Sequence, residues 1–202
     1  MDALPLEIQE NILLSLVEPD DLLRACSTSR QNREICSGSV FWREKFSRED
    51  LPLLQEGYSF ASWTAIYKKA FQAAQTADRL VNSGEDILIR LSEIFDLRHL
   101  GFVVYKDIRE IWQETREGNN SHTYFVVDGA DEEHQVTIHS DYYLVFTPSS
   151  GLYSMDLVDY PQSTDGEEIL PERIQTRFGP TLTKEDMWKV VYRMAFFGYI
   201  FP

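Results

Sequence analysis

Apolar residues recur at Leu4, Ile8, Ile12 and Leu16, one every four positions, with Leu13 beside them. That spacing lays one apolar stripe along a helix of about three turns. Pro5 suits the first turn, where its missing N–H costs nothing. Glu7 lies near the positive helix end. Pro19 predicts the end of this helix and the start of a second, with Asp20 and Asp21 in its first turn. Leu22, Leu23, Ala25 and Cys26 form the apolar side of the second helix. Ser27 or Ser29 is read as the cap of a third helix, closed by Ile35 and Cys36. Gly38 breaks the chain, and Ser39 is read as the cap of a fourth helix bearing Val40, Phe41, Trp42 and Phe46. So small a set of helices has a core that is marginal alone, and its surplus apolar side chains need another surface.

Further on, Ser59 caps a long helical pattern with Phe60, Trp63, Tyr67, Ala70, Phe71 and Ala74 on one face and Ile66 widening it. Ser83-Gly84 ends it. Ile87, Leu88, Leu91, Ile94 and Phe95 predict another helix, with Glu85 and Asp86 in its first turn. Residues 101–105 read as a short strand, and 107–115 as helix with Ile108, Ile111 and Trp112 on one side. The character changes after Gly118-Asn119-Asn120. Residues 124–127, 135–139 and 142–147 are rich in β-branched and aromatic residues, and Asp128-Gly129 and Ser140-Asp141 mark turns between them. Residues 152–158 make a fourth strand, and a loop is expected from Asp159 to about Pro180. Thr183 caps a last helix with Glu185 and Asp186 in its first turn and Trp188, Val191, Tyr192 and Ala195 on one face. The aromatic end from Phe196 to Phe201 is expected to pack back on the sheet.

The N-terminal residues also carry a resemblance. Leu4-Pro5, Glu7-Ile8, Ile12-Leu13, Asp21-Leu22-Leu23-Arg24, Ser29-Arg30, Arg33-Glu34-Ile35-Cys36 and Phe41-Trp42-Arg43 follow one another in an order that resembles the F-box. This is the short helical module that docks substrate receptors onto the Skp-type adaptor of cullin–RING ubiquitin ligases. The resemblance covers about a quarter of the chain. It implies that Leu4, Pro5, Ile8, Ile12, Leu13, Leu16, Leu22 and Leu23 meet the adaptor, and through it a cullin. The family usually has a bulky aromatic where Asn32 stands, so Asn32 either faces water or needs hydrogen-bond partners. The reading from periodicity alone is an ordinary helical hairpin whose leucines fill the chain's own core.

The fold class that follows is α+β: an F-box-like helical bundle over 1–50, a helical extension over 51–117, and an acidic C-terminal part over 118–202 made of an antiparallel β-meander with a closing helix. Charge sharpens the picture of that last part. Of 202 residues, 19 are Lys or Arg and 33 are Asp or Glu, a net charge of −14. No Lys or Arg lies between Arg116 and Arg173, whereas 12 acidic residues do. Nucleic-acid affinity is built from Lys and Arg contacts, so a nucleic-acid partner is not expected. Anionic membranes are disfavoured for the same reason. The acidic face is either a solvated surface or the receiver of a basic protein segment. No run approaches a membrane span and no signal peptide is visible. Cys26 and Cys36 read as small buried hydrophobes in a reducing compartment, cytoplasm or nucleus.

Candidate chemistry adds little. The chain has no G-x-S-x-G, Walker loop, G-x-G-x-x-G or H-E-x-x-H, and no repeat of solenoid or propeller type. His134 and His139 are an odd number of residues apart, so a continuous strand sends them to opposite faces. They, His99 and His122 are read as structural or surface residues. Asp128, Asp131, Glu132 and Glu133, and likewise Asp156, Asp159, Asp165, Glu167 and Glu168, lack calcium-loop spacing. No catalytic residue, metal or cofactor is expected. The reading is a substrate receptor linking a target protein, basic if it meets the acidic face, to a Skp–cullin ubiquitin ligase. The segment Ile66-Tyr67-Lys68-Lys69 resembles F-box-containing proteins of large DNA viruses, which implies a head used either to hijack host ligases or, as the alternative, as a packing module of a structural or assembly protein. A further alternative is an enzyme in the C-terminal part.

Overall fold

The structure, a computed structural model, describes residues 5–117, 125–128, 135–138, 142–159 and 172–200. The chain divides into two compact units, residues 1–75 and 76–202. The fold is α+β: helices first, then an antiparallel four-stranded sheet and a closing helix.

The first unit holds α1 (Leu6–Leu14), α2 (Pro19–Ser27), α3 (Arg30–Ile35), α4 (Ser39–Arg48) and the first part of α5 (Phe60–Ser83). Pro5 occupies the position before α1, and Pro19 opens α2, as its fixed φ and absent N–H favour. The Ser29 side chain accepts from the Asn32 backbone N–H and caps α3. At α4 the expected cap is displaced by one residue: Gly38 precedes the helix and Ser39 is its first member. The core is aromatic. Trp42 and Trp63 stack with centroids 6.2 Å apart, and Tyr67 lies 5.7 Å from Trp42 and 5.8 Å from Phe46. A Cβ on Gly57 would stand 2.6 Å from the Trp63 ring, so only glycine lets the chain pass there. Cys26 and Cys36 are buried as expected, but not as separate thiols: they are joined by a disulfide.

The second unit begins within α5 and continues through β1 (Ile87–Arg90), 3-10 turns at Leu91–Glu93 and Leu97–Leu100, and α6 (Phe102–Glu117). Then come β2 (Phe125–Asp128), β3 (Gln135–Ile138), β4 (Tyr142–Ser149), β5 (Leu152–Asp159), β6 (Glu172–Thr183) and α7 (Lys184–Phe197). The sheet runs β1-β4-β5-β6, all antiparallel, and β2 pairs with β3 as a separate ladder.

Four expectations are corrected here. Residues 87–95 are not a helix: Ile87 and Ile89 are buried, Leu88 between them is exposed, and Ile87 pairs with Phe146. Period two prevails because the β4 edge supplies backbone partners. Residues 101–105 are not a strand. Gly101, at φ 90°, turns the chain into α6, where Val104 and Ile108 are buried one turn apart. The predicted single meander is divided, since 125–128 and 135–138 pair with each other while β4 and β5 join β1 and β6. Residues 172–180, expected to be loop, belong to β6, whose register shifts against β5 at three places.

The β4–β5 hairpin turns on Ser150 and Gly151, both at positive φ, with Ser149 opposite Leu152. The Thr183 side chain accepts from the Asp186 N–H, and the Asp186 side chain reaches back to Thr183, so α7 opens with a capping box. Met187, Val191, Tyr192, Met194 and Phe196 are buried. The partly exposed Trp188 donates from Nε1 to Asp78 at 2.8 Å, and the Tyr153 hydroxyl donates to the Val81 carbonyl at 2.9 Å. The aromatic end packs as expected in part. Phe196 is fully buried, Phe197 stacks on His99 of the second 3-10 turn at 3.5 Å, and Tyr199 O–H lies 3.0 Å from His99 Nδ1, whereas Phe201 lies outside the described residues.

Candidate interaction surface of the helical head

α1 divides its apolar residues between two tasks. Leu13 and Leu14 point inward and are 2% and 5% exposed. Ile8 and Ile12, one turn apart on another side, are 47% and 48% exposed. Leu6, at the helix start, and Val17, in the turn to α2, are likewise about half exposed. Pro5 is exposed, and Leu16 and Leu23 are half-buried. Leu22 is buried in the head's own core together with Leu13, so neither contributes to the surface. Leu4 lies outside the described residues. The structure therefore brings Pro5, Ile8, Ile12, Leu16 and Leu23 to positions with accessible apolar area.

A buried polar network holds the turn between α1 and α2. Lys45, on α4, is fully buried. Its ammonium donates to the Leu14 carbonyl at 3.0 Å, to the Leu16 carbonyl at 2.5 Å, and to the Glu49 carboxylate one turn along α4. The Tyr67 hydroxyl lies 2.7 Å from the Val17 carbonyl and 2.6 Å from Glu49 Oε2. Burial pushes the Tyr67 phenol well above its ordinary pKa, and the neighbouring Glu49 carboxylate adds to the shift, so it stays a donor. The last carbonyls of a helix have no partner within it. Here Lys45 supplies the partner for Leu14, and with Tyr67 it sets the backbone that presents Leu16 and Val17. Periodicity gives no hint of this: a Lys–Glu pair four apart on a helix is normally solvated.

α2 and α3 complete the head. Lys68 lies 2.5 Å from Asp20 in the first turn of α2, and this hydrogen bond holds the Asp20 carboxyl below the usual range. Asn32, where the resemblance leads one to expect an aromatic, is partly buried and satisfied: its amide donates to the Ala25 carbonyl at 2.9 Å and to Thr28 Oγ1 at 3.1 Å. Trp42 Nε1 donates to the Cys36 carbonyl at 2.7 Å.

Elsewhere, His99 serves packing. Besides its contacts with Phe197 and Tyr199, its carbonyl accepts from Arg193 Nε at 3.0 Å. His122, His134, His139 and the acidic residues at 131–133 and 165–168 lie outside the described residues. Among the described residues no group of three or more His, Cys, Asp or Glu is placed to hold a metal ion. No helix among them is long and apolar enough to cross a membrane.

Comparison with known proteins places the head. Residues 1–48 match the F-box-like family model. The chain matches no curated protein and no solved structure. The matched span covers all four short helices and ends at the last residue of α4. Over these residues the chain carries an F-box-like domain.

Proposed function

We propose that the chain is an F-box-type substrate receptor, docking a Skp-type adaptor, and through it a cullin, by the exposed apolar residues of its head. F-box-like domains are protein-interaction modules, and ubiquitin transfer in such assemblies is catalysed by other subunits. The observation that carries this reading is the pair Ile8 and Ile12. Both remain about half exposed although Leu13 and Leu14 beside them satisfy the core. Burying the rest of two isoleucines against a partner contributes roughly 2 kcal/mol before the costs of association. Leu16 and Leu23 extend the same contact, and the Lys45–Tyr67 network supports the turn between them. The second unit selects the target. With 12 acidic residues and no Lys or Arg between Arg116 and Arg173, it favours a basic protein segment over nucleic acid. The chain needs no catalytic residue for this role.

The experiment is direct titration of the full chain with purified Skp-type adaptor, followed by co-purification with the cullin. Saturable one-to-one binding is expected. Absence of binding by a folded chain refutes the reading.

A further inference from the structure

We propose that the Cys26–Cys36 bond is a redox-controlled fastening of the F-box-like head, and that opening it weakens adaptor docking; the second clause rests on the function proposed above. The chain has two cysteines, and the fold brings both together with Cα atoms 6.0 Å apart, inside the range a disulfide spans. Cys26 lies in the last turn of α2 and Cys36 directly follows α3.

α3 is where such a bond matters. It has six residues and none of them is fully buried, so few of its side chains anchor it. A helix this short does not persist by propensity. Its ties are the Ser29 cap, the Asn32 amide on Ala25 and Thr28, and, at its far end, Cys36. Cys36 is fastened twice, by its sulfur to α2 and by its carbonyl to Trp42, the centre of the aromatic core. Breaking the sulfur link removes the covalent tie between the end of α3 and α2, while the Cys36 carbonyl keeps its hydrogen bond to Trp42. It also loosens the far end of α2, three residues after Leu23, while Leu22 stays in the core.

The chemistry balances as thiol–disulfide exchange. Two thiols at Cys26 and Cys36 give up two electrons and two protons to a small disulfide oxidant such as glutathione disulfide. The oxidant's S–S bond breaks to give two thiols as the protein's S–S bond forms. Reduction is the reverse, with a small thiol as electron donor. Both cysteines are fully buried, so the attacking thiolate reaches them only when the head opens locally. By linkage, a partner that binds the fastened head better must also protect its bond from reduction.

The test uses the full chain equilibrated with oxidised or reduced glutathione, with free thiols counted by mass after alkylation. We expect no free thiol in the oxidised sample. Reduction is expected to lower the melting midpoint of the head by roughly 10 °C. The dissociation constant for Skp-type adaptor should rise about tenfold as the docking-competent population falls. Bound adaptor should slow reduction of the bond. A Cys26→Ser/Cys36→Ser variant should match the reduced chain and ignore glutathione; if it does not fold, the reduced natural sequence gives the same reading. Two free thiols at equilibrium with oxidised glutathione would overturn the proposal. So would a melting midpoint and an affinity that reduction leaves unchanged. A lowered midpoint with equal adaptor binding in both states overturns the coupling alone. A lowered midpoint with no adaptor binding in either state establishes the fastening and refutes the receptor reading.

Discussion

The ammonium of Lys45, buried in α4, donates to the carbonyl of Leu14, the last residue of α1. Replacing it with Met keeps the volume but leaves the Leu14 and Leu16 carbonyls without this donor and the Glu49 carboxylate without its counter-charge. Breaking a buried pair from one side costs about 3–5 kcal/mol. Lys45→Met should therefore destabilise the head by that amount in urea unfolding followed by tryptophan fluorescence. Lys45→Met combined with Glu49→Gln should recover part of the loss. A single variant within 1 kcal/mol of the natural chain would mean that water replaces the ammonium.

Ile12 and Leu13 are neighbours in sequence with opposite surroundings. Ile12→Asp places a charge on an exposed position, so its effect on stability should stay within about 0.5 kcal/mol, while adaptor binding is lost. Leu13→Asp places the charge in the core and should unfold the head. Thermal melting paired with adaptor titration separates the two. Full adaptor affinity in folded Ile12→Asp would remove α1 from the interface.

The Asp96 carboxylate is held below the usual range, chiefly by its hydrogen bond to Arg98, with further contributions from the Arg98 backbone and from His99. A carboxyl depressed in the folded state adds stability above its unfolded value of about 3.9, and this is lost as pH falls through the folded value. Wild type should therefore exceed Asp96→Asn in urea midpoint at pH 7, and the gap should shrink below about pH 4. A gap that is constant from pH 7 to pH 2 would assign the difference to the cap on the Arg98 N–H instead.

Phe196 is fully buried near the end of α7. Phe196→Ala should cost about 3–5 kcal/mol, seen as early melting of the second unit by calorimetry, with adaptor binding by the head retained. An unchanged transition would show that the aromatic end does not hold this unit together.

Local chemistry determined much of this protein. Pro19 at the start of α2, Ser29 before α3 and Thr183 before α7 act through groups within one turn, so they are legible without a fold. The spacing of Leu-Pro, Asp-Leu-Leu and Phe-Trp-Arg likewise identified the head, because family motifs are read along the chain. What depended on distant partners was not legible. Ile87–Arg90 fits either period until β4 offers its edge, and β6 forms because β5 accepts it despite a composition suited to a loop. The stripe on α1 could not say that Leu13 turns inward while Ile12 turns out, since the other helices decide which flank is covered. Lys45 shows the same division most sharply. Its sequence setting is that of a solvated residue, and only the converging carbonyls of Leu14 and Leu16, with the carboxylate of Glu49, make its burial favourable.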